Sequence, residues 1–153
     1  MRRAALIGSW CGLLFACHER IAPAPSPSQG GLPELAGLVS EPLTTGDRFI
    51  RRTYRVGAER ITVTLARLPL PESGWQGWLR MSQPNYPQAV LDAPPDAANG
   101  FYQCAPNDAT RCDLLIQTRN GAHLEIRGEA GTAERENVDA LIAKLPLREI
   151  ATQ

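Results

Sequence analysis

The sequence predicts an α+β domain: a mainly antiparallel sheet of about five strands, a C-terminal helix packed on one of its faces, and a short tryptophan-bearing helix. Three observations carry this expectation. Phe49 to Leu68 contains two alternating apolar and polar runs around Gly57-Ala58, and a second alternating group flanks Cys104 and Cys112 and resumes at Ala122 after Asn120-Gly121. Val138, Leu141, Ile142 and Leu145 then recur at helical spacing. A chain of 153 residues has room for one globular domain, placed at 32–150. The formal net charge is zero, so no basic excess argues for a nucleic-acid partner, and none is expected. Four cysteines and two histidines leave little material for a metal centre or an activated nucleophile, so no metal, cofactor or catalytic residue is assigned and no enzyme is expected.

At the amino end, Arg2 and Arg3 precede an apolar run from Ala4 to Ala16 that includes Leu6, Ile7, Trp10, Leu13, Leu14 and Phe15. The run is shorter than the roughly 18 apolar residues of a membrane-spanning helix. Its order of charge, apolar core and small residue is that of a signal peptide, residues 1–16. The run ends in Leu14-Phe15-Ala16-Cys17, which resembles the lipobox of bacterial lipoproteins. The resemblance covers the leader alone, and the globular domain resembles no family. It implies cleavage before Cys17, a diacylglycerol on the Cys17 sulfur and an acyl chain such as palmitate on its amine. Several chains together hold a protein to a membrane far more firmly than one. In that family an aspartate after the cysteine favours the inner membrane; this chain has His18, so the resemblance implies the outer membrane, facing the periplasm. The expected partners are the membrane, through the Cys17 anchor, and an envelope protein or the cell wall.

Export also organises the cysteines. Cys11 leaves with the leader and Cys17 is taken by lipid, so Cys104 and Cys112 are expected to bond to each other in an oxidising compartment. The turn-rich segment between them reads as a loop stapled at its ends, with Cα atoms roughly 4.4 to 6.8 Å apart and a contribution on the order of 2 to 3 kcal/mol. Between Cys17 and the domain, residues 17–31 form a Pro-, Ser- and Gly-rich tether. At about 3 Å per residue it spans about 30 to 40 Å.

The first hairpin is read with Gly57-Ala58 as a two-residue turn. Ile50, Arg52 and Tyr54 then share the core face with Ile61, Val63 and Leu65, while Arg51, Thr53 and Arg55 share the opposite face with Arg60, Thr62 and Thr64. That register sets Arg55 directly across from Arg60, an unfavourable pair unless carboxylates cover it. Arg51, Arg55 and Arg60 are therefore the candidate anion or partner face. Arg48 to Arg80 holds seven basic and two acidic residues and Met81 to Gln153 six and ten, so internal neutralisation is the competing account.

Ser73 then precedes Trp75, Trp78 and Leu79 at helical spacing, giving the short helix. Trp75 and Trp78 are core anchors or, together with the Pro-rich loop from Ser82 to Gly100, contacts for a small molecule or lipid. Phe101 to Cys104, Asp113 to Thr118 and Ala122 to Gly128 supply the remaining strands. A three-residue loop, Arg119-Asn120-Gly121 with a left-handed glycine, sets Ile116 opposite Leu124, Leu114 opposite Ile126 and Asp113 opposite Arg127. His123 and Glu125 are then expected on the solvent side. Finally Thr132 is expected to cap a helix to Leu145 that Pro146 stops. The functional expectation is a lipid-anchored, noncatalytic module that binds an envelope protein or the cell wall, the alternative being a small-molecule or lipid binder.

Overall fold

The computed structural model describes residues 31–67 and 90–150. In chain order these form β1 (Val39–Ser40), β2 (Thr44–Thr45), β3 (Phe49–Val56), β4 (Glu59–Ala66), β5 (Val90–Leu91), β6 (Ala97–Ala105), β7 (Asp108–Thr118), β8 (His123–Gly128), β9 (Ala133–Glu134) and α1 (Arg135–Ile142). The strands make one antiparallel sheet, ordered β1-β3-β4-β8-β7-β6-β5, with β2 also on β3 and β9 also on β7. This corrects the expected architecture: among the described residues nine strands replace about five, and one helix, α1, is present, the expected tryptophan-bearing helix lying outside them. The strands that the alternation missed, β1, β2, β5 and β9, are two residues long, too short to display a period of two. Trp75 and Trp78, like the leader, Cys17 and the tether up to Gly30, lie outside the described residues.

Turn chemistry sets both readable registers. Gly57, at φ 59°, opens the two-residue turn that pairs Val56 with Glu59, Arg55 with Arg60 and Tyr54 with Ile61. Gly121, at φ 79°, closes the three-residue loop that sets Ile116 against Leu124 and Leu114 against Ile126. Through β4 and β8 these two hairpins join, Val63 against Ile126 and Leu65 against Leu124. One face of the sheet is thereby continuously apolar, and α1 buries Val138, Leu141 and Ile142 on it. Leu32 and Leu35 before β1, and Leu145, Leu147 and Ile150 after α1, complete that core. Tyr54 is buried there, and its hydroxyl donates to the Pro33 carbonyl at 2.7 Å, fixing the segment that enters the domain beneath β3.

The segment between the cysteines is not an open loop. Cys104 and Cys112 are bonded and directly opposed on β6 and β7, which continue to a tight connection where Ala105 pairs with Asp108. Their Cα atoms stand 3.9 Å apart, closer than the roughly 4.4 to 6.8 Å expected, and the bond links facing residues of adjacent strands rather than the ends of an open loop. The helix start differs as well. Ala133 and Glu134 pair with Cys112 and Arg111 as β9, so Thr132 precedes a strand and caps nothing; Glu134 occupies the N-cap position without a side-chain cap bond.

A residue far away in sequence supplies that function. The Glu59 carboxylate, at the start of β4, accepts from the Glu134 backbone N–H at 3.0 Å, from Asn137 Nδ2 at 2.8 Å and from Arg111 Nη2 at 3.1 Å. Burial works against the charged form of Glu59, but these bonds from Asn137, Glu134 and Arg111 hold its carboxyl below the usual range. Arg111 also donates to Glu134 at 2.8 Å and to the Thr132 carbonyl at 2.8 Å. The network joins the first hairpin, β7 and the helix start.

Candidate functional site: a polar groove and a basic rim

Alternation leaves the second face of the sheet with Arg51, Thr53 and Arg55 from β3, Arg60, Thr62 and Thr64 from β4, and His123, Glu125 and Arg127 from β8. A groove of about 380 Å³ runs across these strands, bordered by Arg51, Arg60, Arg127, Glu125 and Glu129. Its floor is a hydroxyl ladder. Thr53 and Thr62 share a hydrogen bond of 2.9 Å, and Arg51 Nε donates to Thr64 Oγ1 at 3.2 Å.

The three candidate arginines have different surroundings. Arg60 donates to Glu41 and, at 2.6 Å, to Glu129, so the Arg55–Arg60 repulsion is relieved by two carboxylates on the Arg60 side. Arg51 stacks on Phe49, with its guanidinium carbon 4.8 Å from the ring centroid, and has no carboxylate partner among the described residues. Arg55 is exposed and makes no ion pair or side-chain hydrogen bond among the described residues. The structure thus brings the three to one face but splits them into a neutralised arginine and two that retain net charge.

Arg127 is the groove cation that sequence reasoning placed only as the partner of Asp113. Its Nε lies 3.2 Å from Asp113 and its Nη1 3.4 Å from Glu125. Asp113 is buried, and burial pushes its carboxyl up from 3.8 to about 6, with Arg127 opposing the rise and Glu125 adding to it. Phe101, Gln103 and His123 are buried on the same half of this face. His123 is thus inside, contrary to the expected solvent side, while Glu125 stays partly exposed. Among the described residues no three His, Cys, Asp or Glu side chains converge as metal ligands.

A second groove, about 300 Å³, lies on the other side of the sheet between the described end of the Pro-rich loop and α1. Tyr102 donates to Asp139 at 2.5 Å, and Arg135 stacks 4.2 Å over the Tyr102 ring while holding Asp92 at 2.9 Å. Burial, followed by the bond to Asp139, raises the Tyr102 hydroxyl well above the ordinary phenol range. This groove combines these ion pairs with Pro94, Pro95, Ile142 and Leu145, and Trp75 and Trp78 fall outside the described residues.

Thr62, Glu129 and Glu41 were not singled out as site residues from sequence. The strand alternation already put Thr62 on the arginine face, whereas the meeting of β4 with β8 that adds Glu125 and Glu129 has no local signal. Known protein families, curated proteins and solved structures provide no match to this chain.

Proposed function

We propose that this chain is a lipid-anchored bacterial envelope protein, tied through Cys17 to the outer membrane and facing the periplasm, whose domain is a noncatalytic module binding an envelope protein or the cell wall through the polar groove. The observation that carries the reading is the groove's composition. Its charged side chains are largely held in opposite-sign pairs above a floor of threonine hydroxyls. Such a surface offers many oriented donors and acceptors with little net field, which suits recognition of a polar protein or wall surface by hydrogen bonds. Leu14-Phe15-Ala16-Cys17 supplies the address, and a buried disulfide suits an oxidising compartment.

The test has two arms. Mass spectrometry of the mature protein from native membranes is expected to find an acylated N-terminal Cys17; a different, unmodified N-terminus overturns the anchor. Co-purification after crosslinking, together with co-sedimentation with isolated sacculi, is expected to recover a partner from wild type and to lose it in Thr62→Arg, which fills the groove. Equal recovery from a folded Thr62→Arg overturns the groove as the contact.

A further inference from the structure

We propose that the edge of the sheet formed by β1, β2 and the exposed face of β3 docks on an anionic lipid headgroup surface. The proposal rests on the membrane-tethered reading above and adds a second contact, beside the groove and sharing Arg51 with its rim. Arg51 and Arg55 lie on the same face of an extended strand, about 13 Å apart at the usual strand rise. Neither is neutralised by a carboxylate among the described residues, whereas Arg60, the third arginine of the face, is taken by Glu41 and Glu129. Arg48 is exposed nearby; of the exposed acids here Glu34 pairs with Arg52 and Glu41 with Arg60, which leaves Asp47 against Arg48, Arg51 and Arg55, so the balance is basic.

Aliphatic side chains accompany the charge. Val39 and Leu43 are the exposed large hydrophobic residues among those described, and Val39 is 72% exposed. Val39 is the direct cross-strand partner of Arg55, so both side chains leave the sheet on the same face. Guanidinium groups that can fork onto phosphate oxygens, beside aliphatic side chains that can enter the headgroup boundary, form an interfacial contact.

Position selects lipid over an acidic protein as the occupant. The described chain begins at Gly31 and reaches β1 at Val39, and on the way Pro33 is held by Tyr54 of β3 and Glu34 lies 3.5 Å from Arg52 of β3. The chain therefore enters the domain along β3, beneath the strand whose opposite face carries Arg51 and Arg55, and a tether of about 30 to 40 Å is long enough to pass round the short β1 and β2 to that face. A lipid on Cys17 presents that edge to the membrane at high effective concentration, so a weak contact suffices.

The experiment uses the mature chain from residue 17 with Cys17→Ser, which removes the leader and the acyl chains so that only the edge can bind. Co-sedimentation with vesicles of phosphatidylglycerol and phosphatidylcholine is expected to exceed that with phosphatidylcholine alone and to fall as NaCl rises from low to high concentration. Arg51→Ala and Arg55→Ala are each expected to weaken binding about five-fold, the worth of one cation near an anionic surface. Arg55→Lys is expected to retain binding, Val39→Ser to weaken it, and the charge-neutral double variant Arg60→Ala/Glu41→Ala, which removes one ion pair, to leave it close to wild type, with thermal melts establishing that each variant is folded. Equal binding to neutral and anionic vesicles, no vesicle binding at low salt, or a loss in the charge-neutral double variant as large as that of Arg55→Ala overturns the proposal. Because this chain carries no lipid, those outcomes are independent of whether Cys17 is acylated in the cell.

Discussion

Replacing Asp113 by asparagine isolates the energetic consequence of a buried carboxylate. Asp113 is 3% exposed, its Oδ1 makes no hydrogen bond, and its pairing is to Arg127 Nε at 3.2 Å. Burial raises its pKa from 3.8 to about 6, and Arg127 only partly opposes that rise. The folded protein therefore binds this proton more tightly than the unfolded chain. The resulting stabilisation is fully present below about pH 4 and is lost as the pH rises through about 6. At 1.36 kcal/mol per pH unit, the interval corresponds to about 3 kcal/mol.

Asparagine keeps the shape of the protonated acid and cannot ionise. Gln103 is buried directly opposite as an amide neighbour, and Arg127, itself half-exposed, keeps Glu125 at 3.4 Å. Asp113→Asn is thus expected to be more stable than wild type at pH 7.5, by up to about 3 kcal/mol, and to approach wild type near pH 4. Urea unfolding of the oxidised protein across that range measures it, and taking wild type minus variant at each pH cancels the other titrating groups. A variant less stable than wild type at pH 7.5, or a difference that does not shrink on acidification, would refute the argument.

Glu59→Ala removes the carboxylate that receives Glu134, Asn137 and Arg111 and is expected to destabilise the fold by about 2 to 3 kcal/mol, read as a lowered denaturant midpoint. Because the Glu59 carboxyl is held below its ordinary value, that contribution is present above the unfolded pKa and lost as the pH falls through the folded one; a Glu59→Ala deficit that stays constant into acid counts against the network. Gly100→Ala is expected to destabilise by about 1 to 3 kcal/mol, since its new Cβ would meet the Asp92 carbonyl oxygen and stand 2.7 Å from Pro94 Cδ. A wild-type melting temperature for Gly100→Ala would mean that the Pro-rich loop yields freely.

Sequence alone determined whatever depends on neighbours along the chain. Alternation selected the faces of the first hairpin, Gly57 and Gly121 selected two turn lengths, and together they placed Arg55 opposite Arg60 and Leu114 opposite Ile126. These relations are local, because a period of two and a turn of fixed length leave one register that keeps the apolar set dry. Tertiary structure decided everything that needed a distant strand. Two-residue strands exist only because a longer strand stands ready to pair with them, which is why β9 claimed Ala133 and Glu134 and displaced the expected Thr132 cap. The expectation of a solvent-facing His123 rests on the premise that one face of the sheet is wet, whereas Phe101, Gln103, Asp113 and His123 are all buried on that face. The arginine face shows the division most directly. Its membership followed from parity along β3 and β4, but which guanidinium kept its charge depended on where Glu41 and Glu129 came to lie, since a Coulomb interaction depends on separation in space and not along the chain.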